Sequence, residues 1–410
     1  NLLKVGILSS DNPHKTLVGG KHVHLYLLER ALKQMKINFS TCYYEPNVFD
    51  TFDMYIRAAF SRFTKMFGNE KVSVRNAIAS VDRKLRFFEN VNLNVDVVHC
   101  HDTVAIAKLR TQVQKILTLH GYFAREALNY FPFSEKWKSM YYDHCLDVEK
   151  SAYKRADFII TVDTRIRDYV VANFEYPVEK TAVIYNAVDT DNFRPVTDSE
   201  KREIRRKLKI PEDKFVVLVP RRYVMKNGVL YAAQAFEKLR ADNRFFFLFI
   251  GRGPLKSQIV EILRDNNNAL VGDYVDYRDN VWEYYQAADV VLIPSITSEN
   301  IQEATSLSML ESMSCGKITV CTNIGGMAEI IRDTQNGILI PEKDIDAIAD
   351  TLVDLCDNYH SFEHVMQEAR KYVVQNSSYI VHARKIVEIY NKVLGEGNNG
   401  NSNSYHANIQ

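Results

Sequence analysis

Val290-Val291-Leu292-Ile293-Pro294-Ser295-Ile296-Thr297-Ser298-Glu299-Asn300-Ile301-Gln302-Glu303-Ala304-Thr305-Ser306-Leu307-Ser308-Met309-Leu310-Glu311-Ser312-Met313-Ser314-Cys315-Gly316 divides into a strand, a loop and a helix. The apolar run 290–293 has the length of a buried strand and Pro294 closes it. Thr305 or Ser306 stands where a helix is capped, and Gly316 where it stops. Backbone N–H groups in a helix's first turn have no partner inside the helix. A loop that delivers the chain to a buried helix start therefore makes a site for an anion. Glu303 falls in the loop before that turn, and Glu311 falls in the helix, eight positions later. Carboxylates on both sides of an anion site suit a ligand with a phosphate in the middle and hydroxyl groups at each end. A nucleotide sugar has that layout. By themselves, two glutamates at this spacing read equally well as solvated helix charges.

Working outward, 410 residues exceed what one core usually serves, which predicts two domains of roughly 200 residues each. Hydrophobic residues at 46% and charged residues at 25% are ordinary globular values and exclude a disordered chain. No run approaches the roughly 20 apolar residues needed to span a bilayer. The net charge of +1 gives no global attraction to nucleic acid. Cys42, Cys100, Cys145, Cys315, Cys321 and Cys356 are scattered without a Cys-x-x-Cys pair. Reduced thiols in a cytoplasmic protein are expected, touching a membrane at most from its inner face, with neither a disulfide framework nor a zinc site. The start runs directly into a strand-like Leu2–Leu8 with no leader pattern.

After Leu2–Leu8, the loop 9–20 ends in Gly19-Gly20, and Val23, Leu27, Leu28, Ala31 and Leu32 follow at helical spacing. A Gly-Gly turn between strand and helix lets backbone N–H groups face a phosphate, although such turns also use glycine for geometry alone. From Met54 to Glu89, basic residues (Arg57, Arg62, Lys65, Arg75, Arg83, Lys84) interleave with aromatics (Tyr55, Phe60, Phe63, Phe87, Phe88). This suits an anionic membrane surface or an anionic acceptor groove. The plainer alternative is a pair of amphipathic helices with apolar faces in the core.

Val95–Cys100 reads as a strand leading into His101-Asp102. His99 and His101 would share one face, but no third ligand is visible there, so no metal site is expected. Ile116–Leu119 is a strand that delivers His120-Gly121. A histidine at the carboxyl end of a parallel strand faces the crevice where such sheets bind ligands, unless it is simply a core or capping histidine. Asp189-Thr190-Asp191 superficially resembles a metal-binding Asp-x-Asp, yet it follows what reads as the last strand of a Rossmann-like half.

Lys201–Lys209 reads as a charged connector, and a new strand pattern begins at Phe215. After it, Arg221 and Lys226 place two cations five positions apart in a loop before a helix, which suits a diphosphate gaining charge as its sugar leaves. A solvated basic turn is the alternative. Gly251-Arg252-Gly253 is too short for a dinucleotide fingerprint.

Together these motifs resemble the group 1 family of retaining GT-B glycosyltransferases. The likeness rests on the Pro294-Ser295…Glu303…Glu311…Cys315-Gly316 passage, Thr118-x-His120-Gly121, and Asn186-Ala187-Val188-Asp189 with Phe193-x-Pro195. Arg221…Lys226 and Gly251-x-Gly253-Pro254 add to it. It spans nearly the whole chain. It implies an α/β fold of two Rossmann-like, doubly wound domains facing a cleft: residues 1–196 on the acceptor side, 197–378 binding the nucleotide sugar, and a helix 379–396 returning to the first domain. Residues 397–410 read as a disordered Asn/Gly/Ser-rich tail.

The same resemblance assigns roles. His120 and Glu303 hold the donor sugar, and Glu311 binds the ribose. Arg221 and Lys226 take the phosphates, as does the helix start Ala304, Thr305, Ser306 and Leu307, while the glycine loop Gly19-Gly20 approaches the donor diphosphate or the acceptor. The segments 271–272 and 282–289 line the base. The family has Gly-Phe-Gly where this chain has Ala304-Thr305-Ser306, whose hydroxyls could add donors, and Pro220 stands for the usual glycine before Arg221. The expected reaction moves a sugar from a UDP-sugar, or next a GDP-sugar, to a hydroxyl acceptor that could be lipid-linked, in cell-surface polysaccharide, glycolipid or glycoconjugate synthesis. Neither cofactor nor metal is expected. An epimerase or hydrolase of the same fold, or a non-catalytic sugar-nucleotide binder, are the alternatives.

Overall fold

The computed structural model describes residues 3–15, 19–46, 70–130, 134–298 and 300–396. Each half is built on a six-stranded, wholly parallel sheet. The first holds β1 (Lys4–Ser9), β2 (Asn38–Tyr43), β3 (Val97–Cys100), β4 (Gln114–Leu119), β5 (Phe158–Thr161) and β6 (Thr181–Val183), in the order β2-β1-β3-β4-β5-β6. The second holds β7 (Phe215–Pro220), β8 (Phe245–Ile250), β9 (Ala269–Val271), β10 (Val290–Ile293), β11 (Ile318–Thr322) and β12 (Ile338–Ile340), in the order β12-β11-β10-β7-β8-β9.

Strands covered by helices on both faces cannot alternate polar and apolar residues. That is why Val97–Cys100, Phe158–Thr161 and Val290–Ile293 are buried throughout. Strand order reverses between β1 and β3 in one sheet and between β7 and β10 in the other. Loops leaving the carboxyl ends of adjacent strands part company there and open a crevice. The loops carrying Gly19, Arg221 and Glu303 leave β1, β7 and β10 at those reversals. The GT-B expectation of two doubly wound domains facing each other is met.

The helix Tyr379–Glu396 packs on the helix Gly20–Gln34, placing Ala383, Ile386 and Tyr390 in the core that contains Leu27, Leu28 and Ala31. Tyr390 fixes His99 at 2.7 Å, and Tyr379 donates to Asp191 at 2.7 Å beneath the Arg30 guanidinium. Asp189 and Asp191 both hold Arg30, at 2.7 and 2.8 Å, so this Asp-x-Asp clamps helices together.

The segment read as a connector is a helix. Asp198–Leu208 starts with a capping box of Thr197 and Glu200 and buries Arg205 against Asp289 at 2.7 Å. A row of charges hid one inward-facing arginine. In the basic stretch, 54–69 lies outside the described residues, while Glu70–Glu89 is a helix whose Val74, Ala77, Val81, Leu85 and Phe88 are buried in the protein. That apolar stripe is therefore committed to the core. Among the described residues no helix is long and apolar enough to cross a membrane, and the six thiols form no disulfide. The tail 397–410 also lies outside the described residues.

Candidate active site

The two halves enclose a cleft of about 1010 Å³ whose lining includes Gly19, Gly20, His120, Arg221, Lys226, Glu303, Ala304, Thr305, Leu307 and Glu311. Ser306 sits just behind it, 1% exposed.

The phosphate side is assembled where β7 and β10 end. Gly228 has φ +65°, and a Cβ there would run into the Pro294 carbonyl, so the loop 221–228 lies directly on the end of β10. Ile296 N–H donates to the Lys226 carbonyl at 2.9 Å and locks the two loops together. Arg221 is buried and forks to Asn227 Oδ1 and Ser295 Oγ, each at 2.9 Å, and to Ser306 Oγ at 3.2 Å, and it pairs with Glu303. Its Nε has no partner among the described residues. Lys226 is exposed and lines the cleft nearby.

Burial would raise the Glu303 carboxyl, but Arg221, Ser295 and Lys226 outweigh it and hold it below the usual range. It stays an anion, with 24% of its side chain exposed to the cleft. Its loop is braced from the first half: Arg165 donates to the Glu303 carbonyl at 2.7 Å and to Gln302 at 3.1 Å. Gly325, at φ +58°, is needed because any Cβ would strike that same carbonyl.

The helix Leu307–Ser314 begins at Ser306 without a side-chain cap. Of the two hydroxyls expected to add donors, that of Thr305 is spent elsewhere, while that of Ser306 keeps its hydrogen. Thr305 donates to the Val162 carbonyl at 2.6 Å, and Ser306 accepts from Arg221. Opposite, the helix Gly20–Gln34 starts after Gly19 (φ +87°), also uncapped, and a Cβ on Gly20 would lie 3.9 Å from Leu307 Cδ1. Two helix N-termini, one from each half, thus approach each other with their free N–H groups and positive dipole ends.

Glu311 is 8% exposed and accepts from the Tyr285 hydroxyl. Burial pushes it up to about 7, with Tyr285 and Arg221 opposing only in part. His120 extends from the end of β4; burial and its histidine and lysine neighbours hold it well below the ordinary imidazole value, so it is neutral.

Of 282–289 only Tyr285 lines the cleft, and the wall beside it is made by Ile250, Gly251, Arg252, Tyr274, Val275 and Tyr277, with Arg252 stacked 4.7 Å over Tyr274. On the first-half side Asp11 and Asp102 hold Lys21, and Lys84 reaches Asp11 at 3.2 Å. Burial alone would raise Asp11, but His22, Lys21 and Lys84 overcome it and drive it far below the usual range.

Glu126 gave no sequence signal, and Asn186 was read only as part of the segment Asn186-Ala187-Val188-Asp189, without a place in the cleft. Glu126 accepts Tyr122 N–H at 3.2 Å, and burial pushes its carboxyl up against the pull of Lys226 and Arg222. Asn186 donates to the Thr305 carbonyl at 3.0 Å across the two halves. Near His120 a further difference appears. His99 is tied up by Tyr390 and Thr118, but His101 meets His24 and His120, which come from other elements and so could not be seen in the strand's own periodicity.

The family model for glycosyl transferases of group 1 matches residues 200–372, and that for glycosyltransferase family 4 matches 18–192. The two models, both of glycosyltransferases, between them match most of the chain. The chain is a glycosyltransferase. This glycosyltransferase is 25% identical over 334 residues to the uncharacterized glycosyltransferase MJ1607 of Methanocaldococcus jannaschii, covering 79% of this chain and 80% of that one. It is 27% identical over 292 residues to the putative glycosyltransferase EpsD of Bacillus subtilis, covering 67% and 71%. Among solved structures, the sucrose-phosphate synthase of Thermosynechococcus elongatus shares the glycosyltransferase's fold with a TM-score of 0.70 at 15% identity, over 96% of this chain and 100% of that one. A glycosyltransferase from Rickettsia africae does so with a TM-score of 0.63 at 18% identity, over 96% and 99%.

Proposed function

We propose that this glycosyltransferase moves a hexose from a nucleoside diphosphate sugar to a hydroxyl acceptor with retention at the anomeric carbon and without a metal taking part. One observation carries the reading: Arg221, Lys226 and two uncapped helix starts converge on one cleft between Glu303 and Glu311. The diphosphate lies along the cations and free N–H groups, the ribose against Glu311, and the sugar against Glu303 and His120. As the bond from the anomeric carbon to the diphosphate breaks, the negative charge gathering on phosphate oxygen is met by Lys226 and the helix dipoles. The acceptor oxygen bonds to that carbon on the face being vacated, and its proton passes to the departing phosphate.

UDP is favoured as the carrier, with GDP next. A relative 22% identical over 311 residues is the UDP-Gal:alpha-D-GlcNAc-diphosphoundecaprenol alpha-1,3-galactosyltransferase of Escherichia coli, whose name specifies a UDP-sugar and a lipid diphosphate. That name supports a diphosphate-linked acceptor presented at the cytoplasmic face of a membrane, in cell-surface glycan synthesis. Thermal-shift screening against UDP, GDP, ADP and dTDP sugars tests the donor, since a ligand well above its Kd raises the melting temperature. Anomeric NMR of the product then tests stereochemistry. No stabilisation by any of the four sets, or an inverted product, would reject the reading; free sugar or epimer formed from donor alone would replace it with a hydrolase or epimerase.

A further inference from the structure

Five histidines meet beneath the cleft floor, and only His99 has both ring nitrogens paired, 2.7 Å from Tyr390 and 2.7 Å from Thr118. His24 comes from the helix Gly20–Gln34, His101 from the residue after β3, and His120 from the residue after β4. Neither nitrogen of His101, nor His120 Nε2, has a hydrogen-bond partner among the described residues, and the His24 ring has at most the Asn186 side chain beside it. His24 and His101 are each 1% exposed. A buried polar atom left unpaired costs about 1–3 kcal/mol, so such atoms converging from three elements call for an occupant.

The His24 ring lies 4.6 Å from His120 and 5.1 Å from His101, and a nitrogen of each of the three lies within 4.8 Å of the others. His382, on the returning helix, packs edge-on against His24 at 4.7 Å, and Asn186 stands beside it. Burial above all, and then mutual repulsion, keeps His101 and His120 neutral, and burial does the same for His24 despite Asn186. A neutral imidazole has a lone pair to give.

We propose that His24, His101 and His120 bind a divalent transition-metal ion that prefers imidazole, with zinc as the reference case. Three histidines with a fourth position free is a known zinc ligand set, and the absence of a carboxylate from this one disfavours magnesium or calcium. At Zn–N distances of about 2.0–2.1 Å, tetrahedral ligands stand about 3.4 Å apart, so the rings need to close by up to about 1.4 Å. His101 and His120 both line the cleft, so an ion held there would be reached from it. Binding itself does not depend on the transfer reaction. Its consequence does, and rests on the reading above: an ion on His120 withdraws that ring from the donor sugar, so the metal inhibits.

Tag-free, chelator-treated protein is titrated with Co²⁺, followed by its visible d–d absorption, and with Zn²⁺ by calorimetry. The expected result is saturation at one ion per chain, with Zn²⁺ displacing Co²⁺. His24→Gln and His101→Gln should each weaken binding by at least about tenfold while still melting cooperatively. No saturable binding by the parent protein, or unchanged affinity in both variants, overturns the site. Should the variants not fold, X-ray absorption on the Zn²⁺-loaded parent decides: three imidazole ligands support the site, and fewer overturn it. If zinc binds but leaves the donor KM unchanged, the inhibitory consequence is overturned.

Discussion

Arg221 holds more of the site together than a phosphate ligand alone needs to. Its guanidinium ties Asn227, Ser295, Ser306 and Glu303 into one network, so it orients the sugar-facing carboxylate as well as charging the cleft. Lys226 is free of such duties and exposed. Lys226→Ala should therefore leave the melting temperature nearly unchanged while costing transfer on the order of 3 kcal/mol in transition-state stabilisation. Near-parental kcat/KM in that variant would remove the electrostatic argument. Glu311 makes the opposite trade. Folded Glu311 keeps its proton up to about pH 7, whereas an unfolded glutamic acid releases it near 4.5. The folded state binds more protons between those values, so stability falls as pH rises through that window. Glu311→Gln abolishes the loss. Above pH 7 the variant should be more stable than its parent by on the order of 3 kcal/mol, with the gap closing below 4.5, while the donor KM rises. Denaturant titrations at the two ends of the window measure it, and a gap of the same size at both ends would contradict the assignment. Glu303, Glu311, Arg221 and Lys226 were readable because each sits in a short local pattern. Glu126 and His24 were not, since nothing near them in sequence hints at the partners that folding brings.

At the scale of elements, the turns carry the argument. Gly228 brings the basic loop onto β10, and no side chain can take its place without moving the Pro294 carbonyl. Gly228→Ala should cost at least about 1–3 kcal/mol from the left-handed backbone alone, with the collision in addition, and should impair phosphate binding because Lys226 moves with the loop. A melting curve that matches the parent would show the loop to be looser than described. Strand 290–293 and the helix ending at Gly316 were legible from length and punctuation. The helix Asp198–Leu208 was missed because its mean polarity suggested a solvated linker, although Thr197 and Glu200 spell a capping box three residues apart. For Glu70–Glu89 the amphipathic alternative was the better one: its apolar stripe faces the protein, with Lys84 turned toward the cleft.

Across the whole molecule, alternation of apolar runs with helical periods was enough to read two doubly wound sheets. What it could not supply was how one half grips the other. Arg165, on the helix Thr164–Phe174 after β5, holds the Glu303 backbone carbonyl and the Gln302 side-chain amide oxygen, while Val162 and Asn186 take hold of Thr305. These contacts fix the Glu303 loop from the opposite half, so on the proposed reading they should act on donor affinity more than on stability. Arg165→Ala is expected to raise the donor KM severalfold with a small change in melting temperature. An unaltered KM would mean that the loop holds its shape unaided.

The helix Tyr379–Glu396 completes the packing of Gly20–Gln34, yet a ribosome makes it long after that partner. Until it emerges, the nascent first half leaves uncovered the part of Gly20–Gln34 on which that helix packs, and leaves His99 without its tyrosine. Residues 1–196 expressed alone should bind a hydrophobic dye and lean on chaperones, and a synthetic peptide of 379–396 added in trans should quench that dye signal.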